Sequence, residues 1–409
     1  MAEKIPACDA EAARLLSLQT RETPHARRWD TLLCVLFVGV IGIFTLLHWL
    51  LPDRDMSETE NRTLTQFPPL SAKSLTNGSF TADIADYMAD QFPARDFFIN
   101  LKAASETVLL RGGNNGVIFA AGDNLITRTD LPNLENMESN LHSMQIFADW
   151  CKGKNIPTTA AITGRNADVM DHTLPAAYGS YFSDRLWQSF AEMTADASYP
   201  VLNLRDPLRE KAAQGEYVYY RTDHHWTTLG AYYGYAAIMD SIGTEPYPLT
   251  DFERRTVSLS FLGTTWSTAG AGWINGDEME YFRFAEDDQF TTTVKDDGTS
   301  FPGFYEESYL AKKDKYSSFL SGNHALVTVT QNNPTADRET LLLIKDSFAH
   351  AAAPFLARHY DLVIVDLRYY KQRTISLVDE YGVDRVLYLM NIDSLTGSTV
   401  LKMLEAGTT

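Results

Sequence analysis

The chain has 409 residues, 44% of them hydrophobic and 22% charged, a globular composition with enough apolar material for one large or two moderate domains and unlike a disordered tail. Its formal net charge of −18 repels phosphate backbones, which argues against nucleic acid as a partner and disfavours a strongly anionic polymer as substrate.

The stretch TLLCVLFVGVIGIFTLLHWLL (31–51) runs for 21 residues without Asp, Glu, Lys or Arg. As a helix it measures about 30 Å, the thickness of a hydrocarbon core, and so predicts one transmembrane anchor. A cleaved signal peptide is the alternative, but bulky His48, Trp49, Leu50 and Leu51 stand where small residues would mark a cleavage site. Arg27 and Arg28 precede the span and Asp53, Asp55, Glu58 and Glu60 follow it, so residues 1–30 are expected in the cytoplasm and residues 52–409 outside a cell membrane crossed once. Residues 1–30 carry five basic and five acidic side chains, which leaves the whole negative charge to the outer part. Of three cysteines, Cys8 falls in the tail, Cys34 in the span and Cys151 outside, so no intrachain disulfide can form beyond the membrane. The glycosylation sequons at Asn61 and Asn77 are matches short enough to arise by chance.

Residues 52–115 read as a membrane-proximal connector and helix. Turn formers such as Pro68-Pro69 and Asn77-Gly78 lead into 81–111, where Ile84, Tyr87, Met88, Phe97, Phe98 and Leu101 are spaced for one apolar helical face interrupted at Pro93. GVIFAAGDNLI (116–126) predicts a hairpin around Gly122-Asp123. Beyond it, strand-like runs at 158–163 and 200–204 alternate with helix-like runs at 136–152 and 180–195. Residues 251–335 break the rhythm with Gly, Thr, Asp and aromatics and read as an insertion with short strands. The rhythm returns as strands at 340–344, 361–367 and 385–390 with helices from about 348 and near 374–382. Such alternation predicts an α/β domain over 116–409, a mostly parallel sheet covered on both faces.

Two stretches carry candidate chemistry. RTDHHWTT (221–228) gathers an acid, two imidazoles and an indole. On an extended or tightly turned backbone residues two apart project together, so Asp223 is expected beside His225 while His224 points away. A carboxylate that accepts the Nδ1 proton leaves Nε2 free as a base, the last two parts of a nucleophilic triad. LLLIKDSFAHAAAPF (341–355) places Ser347 where a buried-type strand turns into an alanine-rich helix, so its hydroxyl meets free backbone N–H groups at a helix start. Other readings compete. Ser347 or Asp346 also suits a helix cap. Asp223 and His225 also suit a structural pair, or metal ligation together with His224 and a distant His172, His324 or His350, although neither HxxxH nor CxxC spacing occurs. His224 and Trp226 suit packing, and an exposed Trp226 would stack on a sugar ring.

DHHW (223–226) is the naming motif of the DHHW family, and with SETENR (57–62), DQFPARD (90–96), FLGTTWSTAGAG (261–272), DKYSSFLSGNH (314–324) and KDSFAHAAAPFL (345–356) the chain resembles that family over nearly the whole outer part. The D-x-H-W pattern also resembles the periplasmic alginate O-acetyltransferases, relatives of the SGNH hydrolases in which Asp and His precede Ser. The resemblance implies an SGNH-like, flavodoxin-type three-layer fold, with Asp223 as orienting acid, His225 as base and Ser347 as nucleophile. It further implies O-acylation or deacylation of a cell-envelope glycan without a cofactor or metal. Acetyl groups would have to arrive from a membrane-bound O-acyltransferase partner. Ser321-Gly322-Asn323-His324 spells SGNH by coincidence, since those letters come from separate blocks of that superfamily. Asn323, Arg165 and Asn166 are candidate oxyanion or substrate-binding donors, with a turn-forming Asn and a surface Arg as the plain alternatives. A metal-dependent hydrolase and a non-catalytic envelope scaffold or glycan-binding protein remain the rival classes.

Overall fold

The computed structural model describes residues 24–57, 62–109, 111–129, 131–178, 181–334 and 336–408. Most of the expected tail, with Cys8, and residues 58–61 of the SETENR block, with Asn61, lie outside the described residues. The rest form two compact units, one of residues up to 57 together with 62–98, the other from Ile99 onward.

The first unit contains helix α1 (Pro24–Leu50). Its 23 residues from Arg28 are long and apolar enough to cross a membrane, with a mean hydropathy of 2.4 over an 18-residue window, and almost none of that window is covered by protein. The interruption expected at Pro93 separates α2 (Ser79–Asp90) from α3 (Arg95–Val108), because proline lacks the N–H that would continue the ladder.

In the second unit the hairpin forms, with Val117–Phe119 antiparallel to Leu125–Thr127. Helix α4 (Leu134–Gly153) leads to strand β1 (Thr158–Thr163), β2 (Val201–Asn203) and helix α5 (Thr228–Ser241). The short helix α6 (Thr264–Ala269) is followed by β3 (Phe290–Val294), β4 (Ser300–Pro302) and β5 (Leu326–Gln331). The chain finishes the sheet with β6 (Thr340–Lys345), helix α7 (Ala349–Leu356), β7 (Asp361–Val365), helix α8 (Thr374–Tyr381) and β8 (Arg385–Asn391). Among the described residues these strands make one eight-stranded sheet in the order β4-β3-β5-β7-β6-β8-β1-β2.

The sheet is mixed, with four parallel pairings and three antiparallel ones. From β7 to β2 every pairing is parallel, whereas β4, β3 and β5, all from the 251–335 insertion, add an antiparallel flank that joins β7. In β3 only Phe290, Thr292 and Val294 are buried, the one-sided alternation that suits an antiparallel strand. The parallel strands bury both faces. Leu341 and Leu343 of β6 pack in one apolar cluster with Tyr235 and Ile238 of α5 and Phe355 of α7. Leu342 and Ile344 pack in the other with Met144 and Phe147 of α4 and Leu377 of α8. Three layers result.

This connectivity places a crevice. The chain leaves β6 through α7 on one face to reach β7, then returns through α8 on the opposite face to β8 on the other side of β6. Connections diverge at the carboxyl end of β6, the kind of switch point where open α/β sheets bind ligands.

Candidate active site

Ser347 stands at that carboxyl end. Asp346, buried beside it, accepts hydrogen bonds from the N–H of Phe348 (2.9 Å), the N–H of Asn391 (2.7 Å) and Ser394 Oγ (2.7 Å). These tie the turn after β6 to the end of β8 and fix the half-buried Ser347 between them. One N–H expected to be free, that of Phe348, is thereby engaged.

Across the crevice, residues 221–225 form bends rather than a strand. The N–H of His225 donates to Asp223 Oδ1 at 2.9 Å, the self-closing turn that a short acidic side chain favours. His225 Nδ1 lies 2.6 Å from the same Oδ1, and Nε2 lies 2.7 Å from Ser347 Oγ, 122 positions away in the chain. The second carboxylate oxygen accepts from the N–H of Thr264 (2.7 Å) and Thr264 Oγ1 (3.0 Å). Burial pushes the Asp223 carboxyl up, but the charges of His224 and His225 and the hydrogen bonds from His225 and the Thr264 N–H outweigh it and hold the group well below the usual carboxylate range. Asp223 is therefore an anion whose lone pairs are filled by fixed donors. Tyr316 covers the imidazole of His225, ring on ring at 4.0 Å, and its hydroxyl donates to the carbonyl of Ser347 at 3.2 Å.

Residues 205–366 match the family model described as "DHHW protein". Over this stretch the DHHW resemblance holds. Part of the chain is also 26% identical, over 38% of its own length and 41% of the relative's, to the "Probable alginate O-acetylase AlgJ" of Azotobacter vinelandii. A protein of that name from Pseudomonas syringae pv. tomato is 27% identical over 42% of this chain and 44% of its own. These matches span less than half the length of the curated relatives. A crystal structure of a DHHW family protein from Eubacterium siraeum shares the fold at a TM-score of 0.58 and 20% identity, covering 71% of this chain and 95% of that one. Bacillus cereus PatB1 with a sulfonyl adduct does so at 0.58 and 20%, covering 69% and 96%.

The DHHW stretch contains Asp223, His225 and Ser347, and it also contains three supports that the sequence reading passed over as members of motif blocks: Gly263, Thr264 and Tyr316. His224 does not point away as the alternation rule predicted. In the bend its ring lies 3.8 Å from that of His225 and its Nδ1 bonds Thr264 Oγ1 at 2.7 Å. Asp223, His224 and His225 offer ligand atoms within 4.8 Å of one another, the only such group of three among the described residues. Of the distant histidines weighed as further ligands, His350 bonds Lys345 and His324 bonds the carbonyl of Ser321.

Trp226 has no exposed surface and donates from Nε1 to the carbonyl of Phe348 at 2.9 Å, so it clamps the helix behind Ser347 and offers no platform to a sugar. Arg165 lines a cavity of about 460 Å³ together with Arg128, Asn166, His224, Phe348 and Asp393. Its Nε and Nη2 grip Asp168 at 2.9 and 2.8 Å, and its Nη1 lies 3.8 Å from Asp393. Asn166 is buried in the same wall and donates to the carbonyl of Leu125 at 3.2 Å. Asn323 is exposed, accepts from Arg368 at 3.3 Å and is absent from the cavity lining.

Beneath Ser347, Lys345 Nζ lies 2.7 Å from His350 Nε2 and 3.0 Å from Asp366, which Arg368 also grips. Burial pushes His350 well below its ordinary value, and the Lys345 charge adds to this, so a neutral imidazole accepts from the ammonium. Removing Asp366 would leave the buried Lys345 ammonium without a counter-ion.

Proposed function

We propose that the protein is a membrane-anchored, extracytoplasmic serine O-acyltransferase, with hydrolysis as its side reaction, that uses Ser347, His225 and Asp223. What supports this most is a single geometry: one imidazole hydrogen-bonded at 2.6 Å to a buried carboxylate and at 2.7 Å to a hydroxyl.

Asp223 holds the proton on Nδ1 of His225, so Nε2 takes the Ser347 proton as Oγ attacks an acyl ester. The tetrahedral intermediate collapses, the alcohol leaves with the proton from Nε2, and an acyl-serine remains. An acceptor hydroxyl then attacks that ester while Nε2 takes its proton, and Ser347 departs with the proton returned. With a glycan hydroxyl the outcome is O-acylation, and with water it is ester hydrolysis. Arg165 and Asn166 stand in the cavity wall as candidate groups for substrate or developing oxyanion.

The names of the relatives, alginate O-acetylases, favour acetyl as the group moved and a polysaccharide as its destination. Alginate itself is a polyanion, and a chain of net charge −18 fits a neutral cell-envelope glycan better. Acetyl-CoA is cytoplasmic, so a donor for an outward-facing domain would come through a membrane-bound acyltransferase.

A metal-dependent hydrolase built on Asp223, His224 and His225 is the second reading, prompted by their proximity. Against it stands the saturation of those donors. Both nitrogens of His225, both oxygens of Asp223 and Nδ1 of His224 already have partners.

Turnover of a chromogenic acetyl ester by the detergent-solubilised full chain tests the proposal. Ser347→Ala is expected to lower kcat about 10⁶-fold, with no effect of a chelator. Loss of activity to the chelator, with metal found stoichiometrically by elemental analysis, would favour the second reading.

A further inference from the structure

Phe44 lies six residues before Leu50, the last residue of α1, or about 9 Å along the helix axis. In the membrane-anchored reading, on which this inference rests, its ring stands at the depth of the acyl chains. Two side chains from the other side of the connector nevertheless reach it. Phe92 stacks on Phe44 at 5.1 Å with the rings 9° from parallel, and Phe98 meets it edge-on at 5.7 Å. One turn further along, His48 is buried against Tyr87 of α2 at 5.3 Å.

We propose that α2 and the first turn of α3 form a foot sunk into the outer leaflet, with its apolar side chains facing lipid acyl chains. A segment whose rings touch a residue two turns inside the span cannot rest on the headgroups alone. Its outward side chains fit that solvent. Phe97 is 61% exposed, Met88 39% and Phe92 38%, and at 100° per residue Ala85 and Met88 fall on the opposite side of α2 from Asp83, Asp86 and Asp90, the division of an interfacial helix. The polar contacts gather just past the end of α1. Tyr87 donates to Asp53 at 3.0 Å and Arg54 pairs with Asp96 at 3.1 Å, where headgroups and water would begin. The exposed indole of Trp49 at that same end suits the interface.

The test uses the full chain with Cys8→Ser and Cys34→Ser, Cys151 being buried, in vesicles of phosphatidylethanolamine and phosphatidylglycerol. Single cysteines introduced by Met88→Cys, Phe97→Cys, Asp83→Cys or Val40→Cys carry a nitrobenzoxadiazole label, read with acyl-brominated lipid and with iodide as quenchers. Labels at 88 and 97 are expected to be quenched by the brominated lipid and shielded from iodide, as at 40, with the reverse at 83. Lipid quenching at 40 together with iodide quenching at 88 and 97 would put the foot in water and overturn the proposal while the anchor stands. Shielding of 88 and 97 from both quenchers would mean a protein cover, which overturns it too. Absence of lipid quenching at 40 would remove the anchor, and the foot with it.

Discussion

Gly263 and Asp223 leave no room between them: a β-carbon on Gly263 would sit 2.3 Å from the Asp223 carboxylate. Backbone freedom is not the reason for this glycine, since its φ of −84° is open to any residue. The close approach lets the next N–H, that of Thr264, reach Asp223 at 2.7 Å. Gly263→Ala should displace the carboxylate from His225 and lower kcat/KM for an acetyl ester by roughly 100-fold or more, as expected when a charge-assisted contact worth about 3 kcal/mol is lost. Circular dichroism should report an intact fold.

Thr264→Val keeps the N–H but deletes the hydroxyl that bridges Asp223 Oδ2 and His224 Nδ1. One of the donors to Asp223 disappears while the imidazole contact stays. Steady-state kinetics should show about a 10-fold fall in kcat with little change in KM, the cost of roughly one charge-assisted hydrogen bond.

Trp226 tests whether an aromatic in a named motif touches substrate. It is enclosed on every side and bonded to the Phe348 carbonyl, so Trp226→Phe should cost about 1–3 kcal/mol of stability in a denaturant melt. KM for a glycan acceptor should not move.

Asp287 gives a pH signature far from the chemistry. Burial raises its carboxyl to about 6, against opposition from Arg283 and Arg358. A raised acid means that the folded state holds a proton the unfolded chain has released. Stability therefore falls as pH climbs from about 4 to about 6 and is flat above. Asp287→Asn removes this penalty. Its melting temperature should exceed that of the parent above pH 7, by an amount equivalent to roughly 1–3 kcal/mol, and the two should converge near pH 4.

Much of the candidate site was legible because two local patterns each forced a geometry. An acid two positions before a histidine closes on it in a turn, and a serine after a buried strand is delivered to the sheet's carboxyl edge. His224 escaped the reading because alternation holds for strands, and residues 221–225 bend. Gly263, Thr264 and Tyr316 come from the irregular 251–335 segment, whose contacts are long-range and leave no period. The same segment hid the antiparallel flank of the sheet, because Thr292 takes an inward position in β3 where an apolar residue would have shown a strand. Helix α5 was also missed. TLGAYYGYAAIMDS is apolar nearly all round, and its buried residues fall on every side, so it carries no amphipathic signal.

Whether Ser347 carries the acyl group can be read by peptide mass spectrometry after brief exposure of the full chain to an activated acetyl ester. One acetyl group is expected on Ser347, absent from His225→Ala and discharged when a glycan acceptor is added. An unmodified Ser347 peptide in protein that still turns the ester over would contradict acyl transfer through Ser347.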